Sequence, residues 1–338
     1  MTTLKKVTRR ETHPAAAKGQ VGIVRRVLAR QEVSLLLVVV AIGVATTIKA
    51  PAFFTHENLQ QVLEASVTYF VIGCGSALLV IGGGLDFSVG ASFTLGGLVT
   101  AKLLSMGFAW PLAVPLGLAA CLIVGLVNFG IIAYWHVPPI IATLGTFYGI
   151  TGLTTLITSG IDVVPLPADF QALAQSQVFG IPNTIIFAIA LGIITWFVLE
   201  HTSFGVNIRA LGGNRVAAVG NGLPVIRLDV LLYAAAGVAA GAAGIIYASR
   251  VGSGQVNAGG ATATLSVITA VLIGGVSLLG GLGSIQGVAV GSVLLSMIDN
   301  ALVLTGIPPT YNSIIIGAIL IGAVALDHLR RERLYRKR

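Results

Sequence analysis

Ten long apolar stretches run through this chain, separated by short polar interruptions. They lie at roughly 34–50, 64–83, 86–106, 110–134, 138–159, 184–200, 228–249, 265–282, 285–305 and 310–326. A helix needs about 20 apolar residues to cross a bilayer, somewhat fewer or more with tilt. The pattern therefore predicts an all-α polytopic membrane protein of about ten transmembrane helices. Two connections are unusual. Gly82 to Gly90 joins the second stretch to the third, and Gly252 to Thr264 joins the seventh to the eighth. Non-helical backbone at membrane depth survives only where protein or water satisfies its polar groups. These connections are expected against a pathway or at a membrane edge. Stretches two to five and seven to ten share an order of short and long elements. The offset of five inverts the second set, as in the inverted repeats of transport folds.

Charge adds an orientation. Seventeen of the twenty basic residues fall in three hydrophilic segments: the arm 1–33, the loop 201–227 and the tail 329–338. Short segments rich in Lys and Arg stay in the cytoplasm. An even number of spans then places both termini and the 201–227 loop inside, leaving 160–183, which holds Asp162 and Asp169 and no Lys or Arg, outside. The membrane-spanning body covers 34–328. The composition agrees, with 55% hydrophobic and 9% charged residues, against about 25% charged in soluble domains. A net charge of +8 reads as topology and contact with anionic membrane lipid, and not as nucleic-acid binding. Cys74 and Cys121 lie inside apolar stretches and read as small core residues.

The chemistry-bearing motifs are few. No lysine belongs to a phosphate-cradling loop, no H-E-x-x-H is present, and the twelve acids are scattered. Nothing calls for a catalytic residue, a metal or a cofactor. Asp86 follows three glycines and precedes Ser88; it reads either as a cap of the third span or as a polar contact in a translocation path. Asp299 and Asn300 sit in the ninth span, either bonding between helices or walling the path. Thr143 and Thr146 share a face of the fifth span behind Pro138-Pro139, and could bond their own helix or face a pore. Glu64 reads as interfacial. In the 201–227 loop, Asn214 can cap a short helix at 215–219 that Gly220 and Gly222 end.

Four motifs in order carry a resemblance. They are Gly83-Gly84-Leu85-Asp86-Phe87-Ser88-Val89-Gly90; Pro139-Ile140-Ile141-Ala142-Thr143-Leu144-Gly145-Thr146; Phe204-Gly205 with Ala210-Leu211-Gly212-Gly213-Asn214 and Ala217-Ala218; and the glycine-rich block Ile273 to Gly283. From about residue 50 to 328 the chain resembles the membrane permease subunit of bacterial ABC importers for sugars, of the ribose/xylose type that includes autoinducer-2 permeases. It departs from that family at Thr264 and Ser266, where similar permeases often carry acids, and at Val206, where an Arg is common.

The resemblance implies a bacterial inner-membrane permease, not itself an enzyme. It would form a gated pathway for a sugar or sugar-like solute with a second permease chain, homo- or heterodimeric. A separate ATP-binding subunit would drive it and an extracytoplasmic solute-binding protein would supply it. Gly212, Gly213, Asn214, Arg215, Ala217, Ala218 and Gly220 would form the ATPase-docking loop, with the two alanines as a small contact face. The rival reading is an ion-coupled secondary transporter, which would need an intramembrane acid, with Asp299 as its candidate. An intramembrane enzyme would need a convergent catalytic set that the sequence does not offer.

Overall fold

The computed structural model describes residues 31–308 and 310–335. The basic arm up to residue 30 and the last three residues of the tail lie outside the described residues. Thirteen α-helices are described, and ten of them are the apolar elements of the bundle. In chain order they are α1 Gln31–Lys49, α2 His56–Ile81, α3 Val89–Ser105, α4 Trp110–Tyr134, α5 Pro139–Thr158, α7 Asn183–His201, α10 Val225–Val251, α11 Gly260–Ile273, α12 Ile285–Leu304 and α13 Thr310–Tyr335. Three smaller helices sit in the loops: α6 Ala168–Gln175, α8 Ser203–Gly213 and α9 Arg215–Gly220. A short hairpin, β1 Gln177–Val178 with β2 Ile181–Pro182, lies between α6 and α7.

Several boundaries differ from the hydropathy reading. α2 starts at His56, eight residues early, because Thr55 accepts the Asn58 N–H at the helix start. Residues 82–88 are not helical, so the third span begins only at Val89. The eighth stretch, expected at 265–282, is a helix at 260–273 followed by non-helical backbone over 274–284. Gly275, Gly280 and Gly281 there take φ of 91°, 78° and 79°, which only glycine adopts at no steric cost. The 160–183 loop holds α6 and the hairpin, neither of which the apolar pattern announces.

α3, with 17 residues, and α11, with 14, are short for the bilayer. They rise roughly 26 Å and 21 Å, against about 30 Å of hydrocarbon. A non-helical segment, mostly turns and bends, precedes each one. Residues 252–259 descend beside α3: Gly254 packs on Ala101 near its end, and Gly259 reaches Gly90 near its start. Residues 82–88, which lead into α3, pass the start of α11 in the same way, where Phe87 meets Thr264.

Packing repeats between the halves. α3 packs on α4 and α5 as α11 packs on α12 and α13; α10 lies against α3 and α4 as α2 lies against α11 and α12; and α2 and α10 pack on each other. That is the arrangement expected of the two matched sets. Small residues allow the close crossings. A Cβ on Gly244 of α10 would fall 1.8 Å from the Phe93 carbonyl oxygen of α3. A Cβ on Gly125 of α4 would fall 2.3 Å from the Tyr233 carbonyl oxygen of α10. A Cβ on Gly287 of α12 would fall 1.8 Å from the Gly274 carbonyl oxygen. The largest buried cluster, which includes Ile72, Leu79, Leu232 and Val271, gathers around α2 and α10.

Candidate functional site

The starts of α3 and α11 meet inside the bundle. Each presents N–H groups that its own helix cannot satisfy. Thr264 Oγ1, on α11, accepts the Gly90 N–H at 3.1 Å. It also lies 3.2 Å from the Phe87 and Gly260 carbonyls. In the opposite sense, Thr94 Oγ1, on α3, accepts the Gly259 N–H at 3.1 Å. The two helices thus cap each other. Gly90 and Gly259 are required at this crossing, since a Cβ on either would fall within 2.4 Å of the other segment. Thr264 therefore does structural work at one of the two positions where similar permeases carry acids.

Asp86 stands two residues before Ser88, which occupies the N-cap position of α3 without a side-chain cap bond. Asp86 Oδ1 accepts the Ser88 N–H at 2.7 Å and the Ser88 hydroxyl at 2.6 Å. The cap expected of Asp86 is thus a bond to the turn ahead of the helix and not to its first N–H groups. Asn128, on α4, donates to Ser88 Oγ at 2.8 Å and lies 3.4 Å from both Asp86 oxygens. Thr146 donates to Asn128 Oδ1 at 2.7 Å. Thr143 accepts the Phe87 N–H at 3.1 Å and donates to the Pro139 carbonyl at 2.8 Å. Three of the residues singled out from sequence, Asp86, Ser88 and Thr146, therefore join one network through Asn128, and the fourth, Thr143, holds the same segment by the Phe87 N–H. Asp86 is 6% exposed and Ser88 fully buried. The network fixes the 82–88 segment to α4 and α5.

Asp299 and Asn300 belong elsewhere. Asp299 Oδ2, on α12, accepts the Tyr69 hydroxyl of α2 at 2.8 Å. Asn300 and Asn58 exchange amide bonds of 2.8 Å and 3.0 Å, and Asn58 also donates to the Phe53 carbonyl. These contacts clamp α12 to α2, each worth about 0.6–2 kcal/mol. Glu64 lies eight residues inside α2, 3.9 Å from Arg250 of α10.

The 201–227 loop is built and attached. Thr202 accepts the Gly205 N–H at the start of α8, and Asn214 accepts the Ala217 N–H at 3.0 Å at the start of α9. The expected cap of the second helix is present, and α8 is an addition. Arg215 pairs with Asp229 through both carboxylate oxygens. That bond holds the guanidinium above its ordinary pKa. α8 touches both non-helical segments. Gly212 packs on the Ile81 carbonyl and the Gly281 N–H, which are themselves bonded at 2.7 Å. Arg209 donates to the Gly283 carbonyl at 3.2 Å and pairs with Glu200.

Within α9 the two alanines part. Ala217 is exposed, but Ala218 is 4% exposed and packs inward in the main core. Val216, at 84%, and Val219, at 60%, form the exposed apolar face with Ala217. Gly213, Asn214, Arg215 and Gly220 are also exposed, and Gly212 is half-buried. The contact face assigned to Ala218 from sequence is thus corrected: a helix of six residues turns one side to its own bundle.

Sequence reasoning missed Asn128, Tyr69, Asn58 and Thr94. A lone amide inside the apolar run 110–134 was a signal for Asn128. Thr94 gave none, because its partner lies 165 positions away. Among the described residues, no three His, Cys, Asp or Glu side chains gather where they could hold a metal ion.

Residues 58–324 match the family described as the permease component of branched-chain amino acid transport systems. The D-allose transport system permease protein of Escherichia coli strain K12 is 31% identical over 299 residues, covering 88% of this chain and 91% of that one. The ribose import permease protein of Bacillus subtilis strain 168 is 32% identical over 286 residues, covering 84% and 88%. The L-arabinose transport system permease protein of Escherichia coli strain K12 is 33% identical over 298 residues, covering 88% and 90%. With its ten apolar helices, two broken helix starts and four motifs in order, the chain belongs to this family of multi-pass membrane permeases, in the ribose and autoinducer-2 type of ABC transport system.

Proposed function

We propose that this chain forms, with a second permease chain, the gated pathway of an ATP-driven importer for a sugar or sugar-like solute. The relatives' roles in allose, ribose and arabinose transport support the solute class. The basic residues of the 201–227 loop and of both termini support a cytoplasmic position for those segments, with 160–183 outside. A solute-binding protein would deliver cargo at the outer face, and an ATP-binding subunit would act on the inner one.

One observation carries the coupling. α8 packs by Gly212 against Ile81 and Gly281, and by Arg209 against Gly283. It therefore touches the segments at the far end of both α2 and α11. A push on α9 by a docked ATPase would reach the 82–88 segment and the 274–284 segment through the close contacts of α8. The 82–88 segment leads into the α3–α11 crossing and the Asp86 network, and the 274–284 segment joins the far end of α11 to α12. Asp86, Ser88, Thr143 and Thr146 act in this reading as the frame that repositions, and Asp299 and Asn300 as the α2–α12 clamp. Val216, Ala217 and Val219 supply the docking face, with Gly212, Gly213, Asn214, Arg215 and Gly220 holding its shape.

The test is reconstitution in vesicles with candidate ATP-binding and solute-binding proteins. Uptake that requires ATP and the ATPase chain is the expected result. Uptake driven by an ion gradient alone would overturn this reading in favour of a secondary transporter.

A further inference from the structure

The hairpin between α6 and α7 ends in a residue that its turn does not favour. Val178 pairs with Ile181, so Phe179 and Gly180 form a two-residue turn. Their φ angles are 52° and 78°. Two positive φ values suit the twist of a tight hairpin, and the first position is normally Asn, Asp or Gly. The left-handed region is unfavourable for a bulky residue such as Phe. Phe179 is also 100% exposed, so no contact within its own chain offsets that conformation. Val178 and Ile181 beside it are exposed as well, and the tip is apolar.

The hairpin sits on the end of a helix that faces outward along its whole length. The Asn183 N–H bonds the Ser176 carbonyl at 3.0 Å and closes the hairpin onto the first residue of α7. α7 turns Thr184, Ala188, Gly192, Thr195 and Leu199 inward, with Gly192 against Phe70 of α2. Ile186, Ile189, Ile193 and Phe197 form its exposed stripe. The 19 residues of α7 rise about 28 Å, close to the ~30 Å of the hydrocarbon layer. Asn183 therefore stands at the membrane edge. The short strand and the turn lift Phe179 above it by about 10 Å at most. The headgroup layer adds roughly 5–8 Å on each side, so the tip lies within that layer or at its upper edge. Between Asp169 and Glu200 the chain has no charged residue.

We propose that the Phe179 tip inserts into the headgroup–acyl boundary of the leaflet on the 160–183 side, and anchors α6 and the start of α7 at a fixed depth. Apolar side chains of surface-lying segments settle about 5–10 Å into that boundary. Moving the ring out of water there offsets the unfavourable turn. Position and charge select lipid over a soluble partner. The tip continues the outward stripe of α7 at headgroup height, and its uncharged surroundings offer nothing to steer or fix a charged protein surface. The inference does not depend on which solute the permease carries or on what drives it.

The experiment uses the full-length chain in phosphatidylethanolamine–phosphatidylglycerol nanodiscs. A nitroxide is attached at Val178→Cys; Cys74 and Cys121 are both buried. Its collisions with oxygen, which concentrates in the bilayer, are compared with those of a water-soluble nickel chelate. Oxygen should dominate at 178, and nickel at Asn221→Cys, an exposed position of the 201–227 loop. Phe179→Asn supplies the residue that the turn prefers, so the fold should persist with an unchanged or higher melting midpoint. With the ring gone, the 178 label should move to nickel-dominated collisions. Nickel dominance at 178 with Phe179 in place would overturn the proposal. So would an unchanged collision ratio in Phe179→Asn. A nickel-accessible 178 label that becomes shielded when a candidate solute-binding protein is added would assign the tip to that protein instead. Dipolar broadening between 178 labels in one nanodisc would assign it to a contact between permease chains, and would overturn the proposal equally.

Discussion

Thr264 accepts the Gly90 N–H and Thr94 accepts the Gly259 N–H, both at 3.1 Å, so each of two crossing helices carries the hydroxyl that caps the other. Neither α3 nor α11 has a side-chain cap of its own. The exchange replaces local capping with a bond between the two halves of the molecule. It ties the helix starts together at a site where both hydroxyl-bearing residues are buried. Removing one hydroxyl leaves a buried N–H without an acceptor. Thr264→Val should therefore cost about 1–3 kcal/mol, and Thr94→Val about the same. Thermal unfolding in detergent would register both as a lowered midpoint. Thr264→Ser keeps the oxygen and should recover most of the loss. A Val variant as stable as wild type would show that the crossing does not depend on these bonds.

Gly212 and Gly213 are neighbours with opposite surroundings. A Cβ on Gly212 would fall 1.9 Å from the Ile81 carbonyl oxygen and 2.6 Å from the Gly281 nitrogen. A Cβ on Gly213 would meet nothing within 4 Å. Neither has a positive φ, so the contrast is steric. Gly212→Ala should separate α8 from the ends of α2 and α11, and reduce transport by ten-fold or more even where the protein still inserts. Gly213→Ala should be close to neutral. Uptake measured at matched expression levels separates the two.

How far this was legible from the chain depends on the scale of the signal. Burial in lipid acts over twenty residues, so the ten apolar elements stood out. Hydropathy averages over backbone conformation, however. Leu278, Leu279 and Leu282 extended the eighth stretch to 282, although positive φ at Gly275, Gly280 and Gly281 ends any helix there. α6 and the hairpin are too short for a periodic pattern. The Asp86 motif was visible as a cluster of residue types, and four of its members do come together. Its organising residue, Asn128, lies 42 positions downstream, and nothing local marks the pairing. The Thr94–Gly259 and Thr264–Gly90 bonds are further apart still, and were invisible for the same reason.

Asp86 and Asn128 offer a test of bonding polarity. The carboxylate only accepts, from Ser88 and from the Asn128 amide. Asp86→Asn turns an NH2 group toward the Asn128 NH2 group, donor against donor. A loss of about 1–3 kcal/mol in stability follows, with reduced transport. The exchange Asp86→Asn with Asn128→Asp restores one acceptor facing one donor, and still offers an oxygen to the Thr146 hydroxyl. The double variant should be more stable than Asp86→Asn alone, by a coupling of about 0.5–3 kcal/mol. Additive losses would place the importance of Asp86 in its charge and not in this network.

The two faces of α9 separate folding from docking. Ala218 is buried against the bundle, so Ala218→Trp overfills a packed site. Overpacking costs roughly 1–3 kcal/mol and sometimes more, and the expected result is a poorly folded permease. Val216 and Val219 are exposed apolar residues on a loop outside the apolar helices. Val216→Glu with Val219→Glu should leave insertion and the melting midpoint unchanged, since neither side chain supports the core. A docking partner would have to bury both new charges without partners, at a cost of several kcal/mol. Co-purification of the ATP-binding subunit should therefore fall by a hundred-fold or more, and uptake with it. The same double substitution in exposed residues of α6, at the opposite end of the bundle, should leave ATPase retention intact. If the Val216/Val219 variant keeps its ATPase and transports normally, α9 is not the docking helix, and the link from α8 to Ile81 and Gly281 serves stability alone.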